Sequence, residues 1–199
     1  MKKLSTLTAL LLAATLVFMG CKQQADDKSD PYSDCSNSTT TLDFADGDWT
    51  LTTTISGKED GYSYTEEDTY HAVVSGGDYN FTSGTSKITM NTKELMGENY
   101  EDYKDLPPAY KEQMKEYFKE SVKYMIPSSM GTVEEVSINE VNIVVLVDLS
   151  STMLAQVKTA LNPNNLPAGT TIKTNDEKTK YIISTTINGK TYTYYATKD

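Results

Sequence analysis

The spacing of hydrophobic positions along this chain changes several times, and each change marks a boundary. Leu7 to Phe18 is a near-continuous apolar run. From Lys22 to Thr41 the residues are mainly Asp, Ser, Gln, Lys, Asn and Thr, a composition that buries too little surface to offset chain entropy and is expected to be disordered. A period of two then sets in. Trp49, Leu51, Thr53 and Ile55 alternate with Thr50, Thr52 and Thr54, the pattern of a strand with one buried face. Gly57-Lys58-Glu59-Asp60-Gly61 reads as a turn, and Tyr62 to Val74 alternates again. Ser75-Gly76-Gly77-Asp78 reads as a second turn, followed by short strands at Tyr79–Thr82 and Lys87–Asn91.

The period changes after Pro107 and Pro108, which suit the first turn of a helix. Tyr110, Met114, Tyr117, Phe118, Val122 and Met125 recur at three- and four-residue steps, one apolar stripe of an amphipathic helix. Glu112/Lys115, Glu116/Lys119 and Glu120/Lys123 support it at i,i+3. The stripe is expected to pack on a sheet. Strands resume at Val133–Ile138, and the apolar run Val141–Val147 reads as a central strand buried on both faces. Met153, Leu154, Val157, Ala160 and Leu161 fit a short second helix. The chain closes on Tyr181–Ile187, Asn188-Gly189 and Lys190–Thr197, a strong hairpin signal. The expected class is β-rich α+β: an antiparallel meander sheet or barrel, with one mid-chain amphipathic helix and a short second one, in a single domain over residues 42–199.

Charge narrows the partners. The chain has 28 acidic residues against 18 basic ones, and every cation is Lys. Without the planar Arg fork that grips phosphate, a strongly acidic chain is not expected to bind nucleic acid. The two cysteines differ in setting. Cys21 follows Leu16-Val17-Phe18-Met19-Gly20, whereas Cys35 lies among Ser33, Asp34, Ser36 and Asn37, with no base nearby, as a thiol of the tether.

Lys2 and Lys3, the apolar run and Gly20-Cys21 together resemble a bacterial lipoprotein signal ending in a lipobox. The run is shorter than the roughly 20 apolar residues needed to span a bilayer, and polar residues follow at once. The resemblance implies a signal peptide over 1–20, acyl chains on Cys21, and a tether over 21–41 that holds the domain about 25 Å from the bilayer. It implies a place in the cell envelope, anchored by lipid. Lys22 after Cys21 favours the outer membrane or cell surface.

Gly47-Asp48-Trp49 at the start of the first long strand is similar to the lipocalin signature. There the Trp closes one end of a β-barrel beneath a basic residue of the last strand, a part that falls here to Lys198. The resemblance implies a small apolar ligand or lipid, with Trp49 as the candidate binding residue. Asp148, Ser150 and Thr152, after a buried strand, resemble the Asp-x-Ser-x-Ser metal site of von Willebrand A domains. Too few residues follow to complete that fold, so Asp148 is read as a helix cap and no metal or other cofactor is expected. His71 is the only histidine, and alone it makes neither a zinc site nor a catalytic triad. Glu66-Glu67-Asp68 and Glu134-Glu135 read as exposed sheet and turn charges. The expectation is therefore a binding protein rather than an enzyme, with a surface interaction or adhesion module, partnered by an envelope protein, as the alternative.

Overall fold

The computed structural model of the chain describes residues 30–199 apart from 60, 165, 188 and 189, and leaves undescribed the side chains of 59, 122–125, 187 and 190. The signal segment, Cys21 and the Asn188-Gly189 turn lie outside the described residues.

Nine antiparallel strands form one sheet. They are β1 (Asn37–Thr39), β2 (Gly47–Glu59), β3 (Tyr62–Ser75), β4 (Asp78–Asn91), β5 (Gly131–Ile138), β6 (Asn142–Leu149), β7 (Thr171–Thr174), β8 (Lys180–Ile187) and β9 (Lys190–Lys198). Their order across the sheet is β1-β7-β8-β9-β2-β3-β4-β6-β5. The last strand thus lies beside the first long one. Among the described residues no pairing joins β1 to β5, which form the two edges. Between β4 and β5 come α1 (Thr92–Met96), α2 (Tyr100–Asp105) and the long α3 (Pro108–Met125), and α4 (Ser151–Ala160) links β6 to β7. Among the described residues no helix is long and apolar enough to cross a membrane. The β-rich α+β class holds.

Period-two sequence produces a sheet with one core face. Along β3 the side chains at 62, 64, 66, 68, 70, 72 and 74 are all buried, and those between them face outward. The inward residues of β2, β4, β6, β8 and β9 join them in one cluster with Trp49, Leu51, Met90, Ile143, Val145, Tyr181, Ile183 and Ala196. The short edge strand β1 and the helix flanking β5 leave little free edge for unwanted pairing.

Several expectations are corrected. Tyr79–Thr82 and Lys87–Asn91 are one strand, β4. Thr82 is an extra residue in its register against His71 and Ala72, a bulge that bends the strand without ending it. The strand at 142–149 is second from the edge, with one face buried and much of the other half-buried, and α1 and α2 add two short helices to the expected two. Residues 30–41 are not a free tether. Tyr32 packs at a tilt against Tyr195 with ring centroids 5.0 Å apart, Lys180 pairs with Asp34 at 3.0 Å, and β1 pairs with β7. These contacts bury Cys35, whose thiol is pushed up in pKa chiefly by that burial. On α3, Tyr110, Met114 and Tyr117 are exposed. The half-buried positions among its described side chains are Lys111, Lys115, Phe118, Lys119 and Ser121; the lysine stems cover apolar surface while their ammonium groups reach Glu140, Glu112 and Glu116.

Candidate functional site

Strand register draws one line of inward side chains across eight strands. Ile172 faces Ile183, and Ile183 faces Tyr194. Tyr194 faces Thr53, which faces Asp68. Asp68 faces Ser86, Ser86 faces Val147, and Val147 faces Val133. The two ends of this row are aliphatic and its middle is polar. One pleat further along β3 stands Glu66, beside Ile88 of β4 and Ile55 of β2. Glu66 and Asp68 are 8% and 7% exposed. They are therefore not the solvent-facing charges expected; of the three consecutive acids only Glu67 points outward, paired with Lys87 at 2.8 Å.

Asp68 is incompletely matched. Its Oδ2 accepts a hydrogen bond from the Tyr70 hydroxyl at 2.8 Å, while Oδ1 is shut off from solvent and has no donor in hydrogen-bonding geometry. Ser86, across the ladder, directs its hydroxyl at Glu66, 3.2 Å away. Burial raises the pKa of Asp68, and the Ser86 and Tyr70 hydroxyls oppose that rise without cancelling it. The same burial, together with the Asp68 charge, pushes the Tyr70 and Tyr194 phenols upward.

The floor beneath this row is aromatic and closed. Trp49 is 1% exposed and its Nε1–H donates to the Ala45 carbonyl at 2.9 Å. Phe44 and Tyr181 cover its ring at centroid distances of 4.6 and 5.7 Å. Lys198 stands directly opposite Trp49 in the β2–β9 ladder. Its stem lies over Gly47, where a Cβ would come within 2.9 Å of Cε and φ is +133°, so only glycine fits comfortably there. Among the described residues no cation lies over the Trp49 ring; those over rings are Lys93, Lys111 and Lys158. Trp49 is a floor plug, with its surface already taken by protein.

At the other end the inner face opens on one side. Along β2, Trp49, Leu51 and Thr53 are buried, whereas Ile55 and Gly57, on the same face, are half-exposed. Tyr192 on β9 and Ile88 on β4 are half-exposed as well. Tyr62 and Tyr64, the corresponding residues of β3, are buried. The backbone N–H of Ser63 on that strand donates to Glu94 of α1 at 2.5 Å. Glu66 marks the boundary between the buried row and this partly open rim.

The remaining candidates fall elsewhere. Asp148 faces outward on β6 and caps nothing; the cap of α4 is Ser150, whose Oγ accepts from Met153 N–H at 3.3 Å and donates to the Ser129 carbonyl. The physical reason is reach: two residues before the cap position, Asp148 is still held in the ladder between Thr85 and Thr132. Thr152 lines a surface groove of about 930 Å³ between α4 and Leu166-Pro167-Ala168. A second groove, of about 440 Å³, runs between α3 and β5. Among the described residues no three His, Cys, Asp or Glu groups converge on a metal position. His71 is exposed, its Nδ1 3.2 Å from the Thr50 hydroxyl.

Compared with known protein families, curated proteins and solved structures, the chain matches none.

Proposed function

We propose that the chain is a lipid-anchored bacterial envelope protein that acts by binding, not catalysis, and takes a small molecule or lipid on the inner face of its sheet in the manner of a lipocalin. The observation that carries this reading is the graded burial of that face, closed at Trp49 and half-open at Ile55, Ile88 and Tyr192. The pairing of first and last long strands, with Trp49 opposite Lys198, supports the lipocalin-like arrangement. The signal-like segment ending at Cys21 supports the anchor.

Native mass spectrometry of the full chain, extracted from its own envelope in mild detergent, tests the reading. A bound small molecule that is lost in Ile55→Glu supports it, and an empty protein counts against it. A second reading, a surface interaction module, draws on the exposed stripe Tyr110, Met114 and Tyr117 of α3, which are 58%, 40% and 65% exposed. Solvated aromatics at helical spacing are common anchors for a partner protein.

A further inference from the structure

Resting on the inner-face reading above, we propose that Asp68 is the docking point for the ammonium group of an amine-bearing ligand, with Glu66, the hydroxyls of Ser86 and Tyr70 and the Tyr194 side chain around it. A carboxylate taken out of water needs donors for both oxygens, and a charged group left short of them destabilises a fold more than a neutral one does. Asp68 is 7% exposed and meets one donor, at Oδ2. Its Oδ1 meets none. Ser86, the hydroxyl directly opposite, points its proton at Glu66, 3.2 Å away, and eases the Asp68 charge without bonding Oδ1. Among the described residues no lysine forms an ion pair with Asp68.

The chemistry around Oδ1 selects what could complete it. Two carboxylates one pleat apart repel phosphate, sulfate and carboxylate head groups. A divalent metal wants six or more oxygen ligands, or a cluster of acids and imidazoles, and the described residues assemble no such cluster. An ammonium group offers three donors on one small cation, enough for Asp68 Oδ1 and neighbouring acceptors together. Tyrosine rings also attract cations through their faces. The route in follows the graded burial, since Ile55, Glu66 and Ile88 form the row next to that of Asp68, and both isoleucines are half-exposed. The head group would pass that rim and settle against Asp68, with its apolar body left against Ile55, Ile88 and Tyr192.

The probes are octylamine, 1-octanol and octanoate, which share one tail. Each is titrated calorimetrically at neutral pH against the full chain in lipid nanodiscs, with empty nanodiscs as blank. The proposal expects octylamine to bind at least tenfold more tightly than octanol, octanoate to bind most weakly, and Asp68→Asn to erase the amine preference while octanol affinity stays within about threefold. The ranking of the three probes on the unaltered chain is decisive even if the variant folds poorly. Equal affinity for octylamine and octanol overturns the ammonium site but leaves the inner-face pocket standing. An amine preference that survives in a folded Asp68→Asn protein overturns the assignment to Asp68. Absence of binding by any probe overturns both readings.

Discussion

Tyr70 donates its hydroxyl proton to Asp68 Oδ2 at 2.8 Å from two residues further along the same strand. Both side chains rise from the inner face of β3, so the bond lies within the core. It is the hydrogen bond of good geometry that Asp68 accepts, and the Ser86 hydroxyl on the facing strand also favours the charged form. Tyr70→Phe keeps the ring and removes the donor, so a buried carboxylate loses its one hydrogen bond of good geometry. Chemical denaturation at pH 7 should show a loss of about 2–3 kcal/mol. In an Asp68→Asn background the same change should cost less, and a double-mutant cycle measures the difference.

Asp68→Asn itself should stabilise the fold at neutral pH, by about 1–3 kcal/mol. The groups facing this carboxyl are Glu66 and Tyr70 on its own strand, Tyr194 on β9, and the neutral hydroxyls of Ser86 and Thr53. Because burial raises its folded-state pKa above the ordinary value of 3.8, the folded protein holds this proton more tightly than the unfolded chain. Stability of the unaltered protein therefore falls as pH climbs from about 3.8 through the raised value, and levels off above it. The advantage of the Asn variant should be absent below that window and full above it. Urea unfolding of both proteins across the acidic range reads this out.

Trp49 is the only tryptophan, which makes it a clean reporter. Its burial among Phe44 and Tyr181 predicts a blue-shifted emission insensitive to aqueous quenchers. Trp49→Phe removes the Nε1–H bond to Ala45 and leaves a void beneath two rings, a loss of about 2–4 kcal/mol in urea denaturation.

Gly131 opens β5 opposite Leu149 of β6. A Cβ there would lie 2.0 Å from the Asp148 carbonyl oxygen, and backbone cannot step aside as a side chain can. Gly131→Ala should force β5 away from β6 and cost about 3 kcal/mol or more. Gly61→Ala, at a glycine whose Cβ would meet nothing within 4 Å, pays only for its backbone conformation. Thermal melts of the two should rank them in that order.

Truncation tests where the folded part begins. Chains starting at residue 30 and at residue 42 differ by β1, the Tyr32–Tyr195 contact and the Lys180–Asp34 pair. The shorter chain leaves β7 unpaired on one side and uncovers the surface that buries Cys35. Its melting temperature should be lower by several degrees. In the longer chain, reaction of the Cys35 thiol with an aromatic disulfide should be slow until denaturant is added.

Much of the sheet was legible because period-two alternation states which residues share a face. The stretch Tyr62–Val74 illustrates both the strength and the failure of that reading. Tyr62, Tyr64, Tyr70, Ala72 and Val74 share one parity, and Glu66 and Asp68 carry it too. Side-chain charge argued for solvent, but a strand cannot turn single residues outward without a bulge, and parity prevailed. The signal for the candidate site was thus present and was outweighed by residue type. The stripe on α3 had the right period and the wrong rotation, because lysine stems cover apolar surface as well as Tyr110 or Tyr117 would. Residues 30–41 were opaque for another reason: their burial comes from β7 and β9, more than a hundred residues away, and no local pattern announces it.

The ligand site and the acid dependence of stability both turn on the state of one carboxyl group, that of Asp68. Carbon-detected NMR titration of Asp68, labelled at the side-chain carboxyl and assigned by comparison with Asp68→Asn, measures that state. The expected midpoint lies above the ordinary 3.8 in the ligand-free protein and falls when octylamine is added, as the ammonium favours the ionised form. A midpoint at or below the ordinary value, unmoved by the amine, would contradict both.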